Sequence, residues 1–242
     1  DGSVIRVWDV ETSHLLKTLD LLGGRRPSQA PGYAGGVQVL EFAPDGRLYS
    51  AGSGGVRRWD VERGTSETVI EGPWMTMDLS DDGTHLLTTT SAGQPEIPSA
   101  VDFHDINGRT SRRLASHGAQ VIAVALDPTA KIAVTGGNDG IVRAGSVTGE
   151  EPHLFYGHKG PVYALAVSPD GRWIASGGQD GTVRLWPMPD FAKPPLHTLA
   201  YQDLLAKLKT LTNLRTVEDK TSPTGYKLDV GPFLGWDTAP TW

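Results

Sequence analysis

The chain has no cysteine. That excludes a disulfide framework, a thiolate metal site and a cysteine nucleophile, and it is compatible with a reducing compartment, so a cytoplasmic location is expected. There is no basic block either: 22 Lys and Arg are dispersed among 28 Asp and Glu for a formal charge of −6. Such a distribution lacks the electrostatic footprint of a nucleic-acid binder and the polybasic patch of a membrane-surface protein. No apolar run approaches the roughly 18 residues needed to cross a bilayer. The first residues, DGSVIRVWDV, show neither the charged nor the apolar region of a signal peptide. What is abundant is punctuation. Thirty Gly and seventeen Pro recur as Asp-Gly, Gly-Gly and Ser-Pro between short apolar runs, the pattern of many tight turns joining short strands. An all-β protein is expected.

The runs repeat. From Trp186, steps of 41, 41, 45 and 51 residues lead back to Gly145, His104, Trp59 and Trp8. This spacing corresponds to structural units of roughly 40 to 45 residues, stretched by insertions. An Asp-Gly pair after the first apolar run recurs as Asp45-Gly46, Asp82-Gly83 and Asp170-Gly171, with Thr129-Ala130 as a degenerate version. A second pair recurs as Asp1-Gly2, Asp139-Gly140 and Asp180-Gly181.

Within a unit, PVYALAVSPDG reads as a strand closed by a turn. RWIASGG is a second strand, and DGTVRLW opens on a hairpin pair and becomes a third. A more polar fourth strand follows as HLLKTL, SETVI, SRRLA, PHLFY and PLHTL. Four short antiparallel strands cannot cover both faces of their own sheet, so the units must stack.

Gly157-His158, Ser-Pro-Asp-Gly at 168–171, Ser176, Asp180 and Trp186 together resemble a complete unit of a WD-repeat β-propeller. The resemblance implies a buried hydrogen-bonded chain through His158, Ser176, Asp180 and Trp186. It also implies that the preceding unit keeps His117, Thr135 and Asp139 but breaks at the last link, where Gly145 replaces Trp. Two earlier units, one with Trp59-Asp60 and one with His104-Asp105, match more loosely and are expected to rely on apolar packing. The implied organisation is a partial blade at 1–19, blades at about 37–70, 74–115, 120–156 and 161–199, and an extension at 200–242. Four and a half blades do not complete a ring of about seven. The expectation is therefore a piece of a longer chain, or closure by self-association. The extension is similar to the tail of bacterial WD-repeat proteins, many of which carry a serine/threonine kinase or another signalling domain. Its Leu204, Leu205, Leu208 and Leu211 are spaced for an amphipathic helix, followed by a hairpin that would cover the edge of the last blade.

Insertions at 20–36 and 91–100 lengthen two connections, and the Gly-Gly-Arg-Arg at 23–26 has no flanking strand and helix to make it a phosphate loop. The sequence contains no Gly-x-Ser-x-Gly, no His-Glu-x-x-His, no Ca²⁺ loop and no Walker sequence. No enzyme activity is expected of this segment, a catalytic domain upstream in a longer chain being left open, and no cofactor or metal is expected. Glu41 and Asp78 stand where Ala166 stands in the last unit, on strands that would line a central channel. There they would be solvated, or would bind a cation or a basic side chain. By position, Lys159, Tyr163, Gln179, Asn138, Gln38 and Met75 should share the face on which WD-repeat proteins bind partners. The expected function is a protein- or peptide-binding scaffold or sensor. A propeller enzyme or small-ligand binder using the channel acids is the alternative, since fold alone does not decide function.

Overall fold

The computed structural model describes residues 4–21, 36–52, 54–72, 74–90, 100–114, 117, 120–211, 214–218 and 226–230. The side chains of 74, 75, 90 and everything from 208 onward lie outside that description. Most of the two long insertions, and Asp1-Gly2, are therefore outside it. The chain divides into two compact units, Asp1–Met188 and Pro189–Trp242.

The first unit is a series of antiparallel meanders. A two-stranded sheet, β1 (Val4–Trp8) and β2 (Leu15–Asp20), comes first. Three four-stranded sheets follow in strict chain order. They are β3 (Val37–Phe42), β4 (Leu48–Gly52), β5 (Gly55–Asp60) and β6 (Thr65–Ile70); β7 (Trp74–Leu79), β8 (His85–Thr90), β9 (Val101–Asp105) and β10 (Thr110–Arg113); and β11 (Val121–Leu126), β12 (Ile132–Gly137), β13 (Val142–Ser146) and β14 (His153–Phe155). The last sheet has three strands, β15 (Val162–Val167), β16 (Trp173–Gly178) and β17 (Val183–Pro187). These are β-propeller blades, and the chain is all-β in class.

The apolar core lies between blades. Met77 and Leu79 of β7 pack with Tyr49, Ala51 and Val56 of the preceding blade. Val121, Val124 and Leu126 of β11 pack with Leu87 and Val101. Ile5 and Leu19 of the two-stranded sheet cover Leu48 and Trp59. Each sheet thus offers one face backward and one forward, as its period-2 alternation dictates.

The turns after the first strands follow from their residues. Gly46, Gly83 and Gly171 take φ of 81°, 68° and 68°, where a side chain would be strained. Ala130 holds φ 53° in the fourth blade's turn. It does so because the Asp127 carboxylate accepts the backbone N–H groups of Thr129, Lys131 and Ile132 at 3.1, 2.7 and 2.6 Å. The turn between β3 and β4 is one residue shorter than its counterparts: Phe42 pairs with Leu48, whereas Val167 pairs with Ile174.

The fourth strand expected from PLHTL does not form. Leu196–Thr198 is a 3₁₀ turn closed by Thr198 N–H donating to the Pro195 carbonyl at 3.0 Å. Pro194 and Pro195 have no N–H to give a sheet ladder, and Pro195 fixes its own φ at −57°. The first unit accordingly ends at Met188, earlier than the boundary at 199 read from the repeats. The second unit contains α1 (Tyr201–Leu211) and an antiparallel hairpin of β18 (Leu214–Glu218) and β19 (Tyr226–Val230). Leu204 and Leu205 are half-buried in it.

Candidate functional site

The last blade carries a continuous polar chain. Trp186 Nε1 donates to Ser176 Oγ at 2.8 Å, Ser176 Oγ meets His158 Nε2 at 2.8 Å, and His158 Nδ1 faces Asp180 at 3.1 Å. Because the ionised Asp180 only accepts, the imidazole proton belongs on Nδ1, and the Ser176 hydroxyl then donates to Nε2. Asp180 also accepts the Lys159 backbone N–H at 3.0 Å and the Thr182 hydroxyl at 2.7 Å. The Lys159 amide first, then Thr182 and His158, hold its carboxyl well below the usual range. The order Asp–His–Ser is that of a hydrolase triad. Ser176, however, is 1% exposed, and its oxygen is already taken on both sides. This is a structural strut, because a fully satisfied buried network rigidifies its surroundings.

Earlier blades carry reduced versions of the strut. His117 turns its ring so that Nδ1 meets Thr135 Oγ1 at 3.0 Å, while Nε2 is buried without a partner and faces Gly145. Asp139 goes instead to Arg143, at 2.5 Å, so the chain breaks at its Asp end as well as at the missing Trp. Burial, then the Arg143 charge, pushes the His117 imidazole down to about 4. The two blades expected to depend on apolar packing alone keep the inner link. Trp59 Nε1 donates to Ser50 Oγ at 2.9 Å, and His104 Nε2 stands in for the indole against Thr88 Oγ1 at 2.8 Å. Ser50 escapes a sequence alignment because the short β3–β4 turn slips β4 by one residue. Pairing with β5 restores the equivalence, with Ser50 opposite Arg57 as Ser176 is opposite Arg184.

Three of the six expected partner-binding residues, Gln38, Met75 and Tyr163, share one backbone device. Every innermost strand has a β-bulge at the same step, between Val37 and Val39, Trp74 and Thr76, Val121 and Ala123, and Val162 and Ala164. The extra residues are Gln38, Met75, Ile122 and Tyr163. A bulge leaves its residue out of the ladder and re-aims its side chain. Gln38 is exposed, Tyr163 is 59% exposed, and Ile122 is half-buried. The Met75 side chain lies outside the described residues. Ile122 was not among the expected residues, and its signal was its place in the repeat, obscured by an aliphatic side chain.

Beside the bulge in the fourth blade and in the last sits a turn. Asn138 N–H donates to the Gln120 carbonyl at 3.1 Å, and its side-chain amide to Gln120 Oε1 at 3.1 Å. Gln179 N–H donates to the Pro161 carbonyl at 2.8 Å. Gly140 lies so close to the next blade that a Cβ would meet the His158 and Gly160 carbonyls at 2.8 and 2.9 Å. Lys159, Asn138, Gln179 and Gln120 are all exposed. Turns and bulges therefore cluster at one end of the fourth and last blades.

Glu41 and Asp78 are on the innermost strands, but they are not simply solvated. Each is half-buried and accepts a backbone N–H from the following blade, Glu41 from Leu79 at 3.0 Å and Asp78 from Leu126 at 2.6 Å. Among the described residues, no group of three or more His, Asp or Glu could hold a metal ion. No described helix is long and apolar enough to cross a membrane. A groove of about 450 Å³ on the rim between β6 and β10 is lined by Arg58, Glu67, Glu71, Asp105, Ile106 and Arg109. Arg58 and Glu67 bond each other there.

Residues 108–144 and 149–187 each match the family model of the WD domain, G-beta repeat. These segments cover the fourth and last blades and support membership of a WD-repeat family. No curated protein matches the chain.

Proposed function

We propose that the blades are a non-catalytic interaction module that holds a peptide or protein across the end carrying Gln38, Met75, Ile122 and Tyr163, as a scaffold or sensor within a cytoplasmic signalling protein. WD repeats generally mediate protein–protein interaction and are typically non-catalytic. The observation that carries the reading for this chain is the bulge repeated at one step of all four innermost strands. A ladder defect kept in four blades re-aims one side chain in each, and at Gln38 and Tyr163 that side chain is exposed. The exposed set of Tyr163, Lys159, Gln179, Asn138, Gln120 and Gln38 supplies one aromatic anchor with adaptable amide groups around it, a composition suited to peptide recognition. The acidic pair gives a small-molecule site little support, since both carboxylates already serve the neighbouring blade.

The test is selection of a phage-displayed random peptide library on the immobilised protein, with affinities measured by fluorescence anisotropy. Tyr163→Ala and Gln179→Ala are expected to weaken selected peptides about tenfold or more, with Tm held within about 1 °C because both side chains are exposed. Peptides that bind both variants as tightly as the parent, or a Tm that falls in step with affinity, would overturn the reading.

A further inference from the structure

Glu41 and Asp78 occupy one step on consecutive innermost strands and make the same bond. Glu41 Oε2 accepts the Leu79 N–H, and Asp78 Oδ2 accepts the Leu126 N–H. Leu79 and Leu126 also share a step, at the last residues of β7 and β11. Innermost strands of separate blades belong to different sheets and have no ladder between them. A side-chain carboxyl here ties one sheet to the backbone of the next. The same step is Ala125 in the fourth blade and Ala166 in the last, neither of which has an oxygen to offer. The tie therefore spans three consecutive blades, from β3 to β11, and stops.

We propose that Glu41 and Asp78 form a proton-operated clamp that holds these three blades together at their inner strands and loosens as the two carboxyls ionise. The surroundings decide the direction. Across its own sheet Glu41 faces Tyr49, and from the next blade it faces Asp78. Asp78 faces Leu87 across its sheet, Asp81 from the following turn, and Ala125 and Leu126 from β11. Among the described residues the charges that act on the two carboxyls are like charges, Asp78 on Glu41 and Asp81 on Asp78; Arg58 stands beyond Tyr49 and is engaged with it, and no described Lys or Arg bonds either carboxyl. Burial first, then Asp78, pushes Glu41 up to about 7, against the pull of the Leu79 amide. Burial pushes Asp78 up to about 6, with the Leu126 amide opposing and Asp81 adding. Carboxyls raised above their ordinary values stabilise the folded state fully below those values, and that contribution is lost as pH rises through about 6 and then about 7. Protonated, each carboxyl still accepts its amide without bringing a second charge into a half-dry site. Ionised, the pair must separate or admit water.

The inference does not depend on what the exposed face binds. Its test compares the wild type with Glu41→Gln, Asp78→Asn and the double variant, whose neutral amide oxygens accept the same N–H groups at every pH. Hydrogen exchange at the Leu79 and Leu126 amides, corrected for intrinsic exchange, is measured at pH 5.5 and pH 8. Wild-type protection at both amides is expected to fall on the order of tenfold across that range, and protection in the double variant to stay level. The wild-type Tm, minus that of the double variant, should decline over the same interval. The subtraction matters because His117 and His104, both held below the ordinary imidazole range by burial, lose stability in the opposite direction, as pH falls. Level wild-type protection, or parallel wild-type and variant profiles, would overturn the clamp. Should the double variant fail to fold, the wild-type exchange profile decides alone.

Discussion

Ser176 shows how much one small buried side chain can hold. Its hydroxyl is the only link between His158 Nε2 and Trp186 Nε1, so removing it strands a ring nitrogen on each side. Leaving a buried polar group without its partner costs about 1 to 3 kcal/mol. Ser176→Ala is expected to lose that amount for each nitrogen stranded. Thr135→Ala should lose less, because it strands only His117 Nδ1 in a ring whose other nitrogen already lacks a partner. Urea unfolding of the two variants checks the order, and an equal loss would show that the strut in the last blade is not cooperative. The residue types of the strut were legible in the sequence; the rotation of the His117 ring was not. That rotation depends on Arg143, which takes Asp139 away through a bond between third-strand and turn side chains.

Elements are set by where backbones approach one another. Gly136 in β12 faces the following blade so closely that an added Cβ would come within 2.7 Å of Val162 Cγ1 and 2.9 Å of its Cβ. At Gly145 in β13 the nearest atoms would be Pro152 Cβ at 3.0 Å and His117 Nε2 at 3.1 Å. Pro152 thus lies against the position whose counterpart in the last blade carries the Trp186 indole. Overpacking a close contact costs about 1 to 3 kcal/mol. Gly136→Ala should sit at the upper end, since a branched side chain anchored in the next blade cannot step aside. Gly145→Ala should sit at the lower end, as a shift of a few tenths of an ångström relieves it. Thermal unfolding ranks them, and the reverse order would mean that the blade-to-blade spacing is softer than the spacing within a blade. Strand existence and turn sites followed from period-2 runs and Asp-Gly pairs. Register in β4 did not, because a turn one residue short moves every following side chain to the other face unless the pairing is seen.

At the scale of the whole molecule, the two ends of the blade series differ from its middle. Leu40 and Phe42 are 48% and 61% exposed, while their equivalents Met77 and Leu79 are 4% and 7% exposed. At the other end Val183 and Leu185 are 78% and 67% exposed, while Val142 and Ala144 are both 0%. On the last blade, Trp173, Ala175 and Gly177 pair with Pro187, Leu185 and Val183, which makes one apolar sheet face. Between interior blades, faces of these two kinds cover each other, and contiguous exposed apolar surface promotes association. The 242-residue protein is therefore expected to sediment with a weight-average mass that rises with concentration. The double substitution Val183→Asp with Leu185→Asp should lower that rise while leaving Tm within about 1 °C, because neither side chain is packed in the folded unit. A wild type that stays monomeric at all concentrations would contradict this.

The sequence by itself determined the class, the repeat and the punctuation. Alternation, Asp-Gly turns and the set His158, Ser176, Asp180 and Trp186 are local patterns, and local patterns fix strands and hairpins. The tertiary structure alone decided what lies between units. It put Ser50 and His104 into the inner struts and gave the bulged step to Ile122 as well as Tyr163. It also turned the carboxyls of Glu41 and Asp78 into ties between blades. The struts and the bulged step depend on pairing register, and the two ties on residues 38 and 48 positions apart, which the order of residues along one strand does not contain.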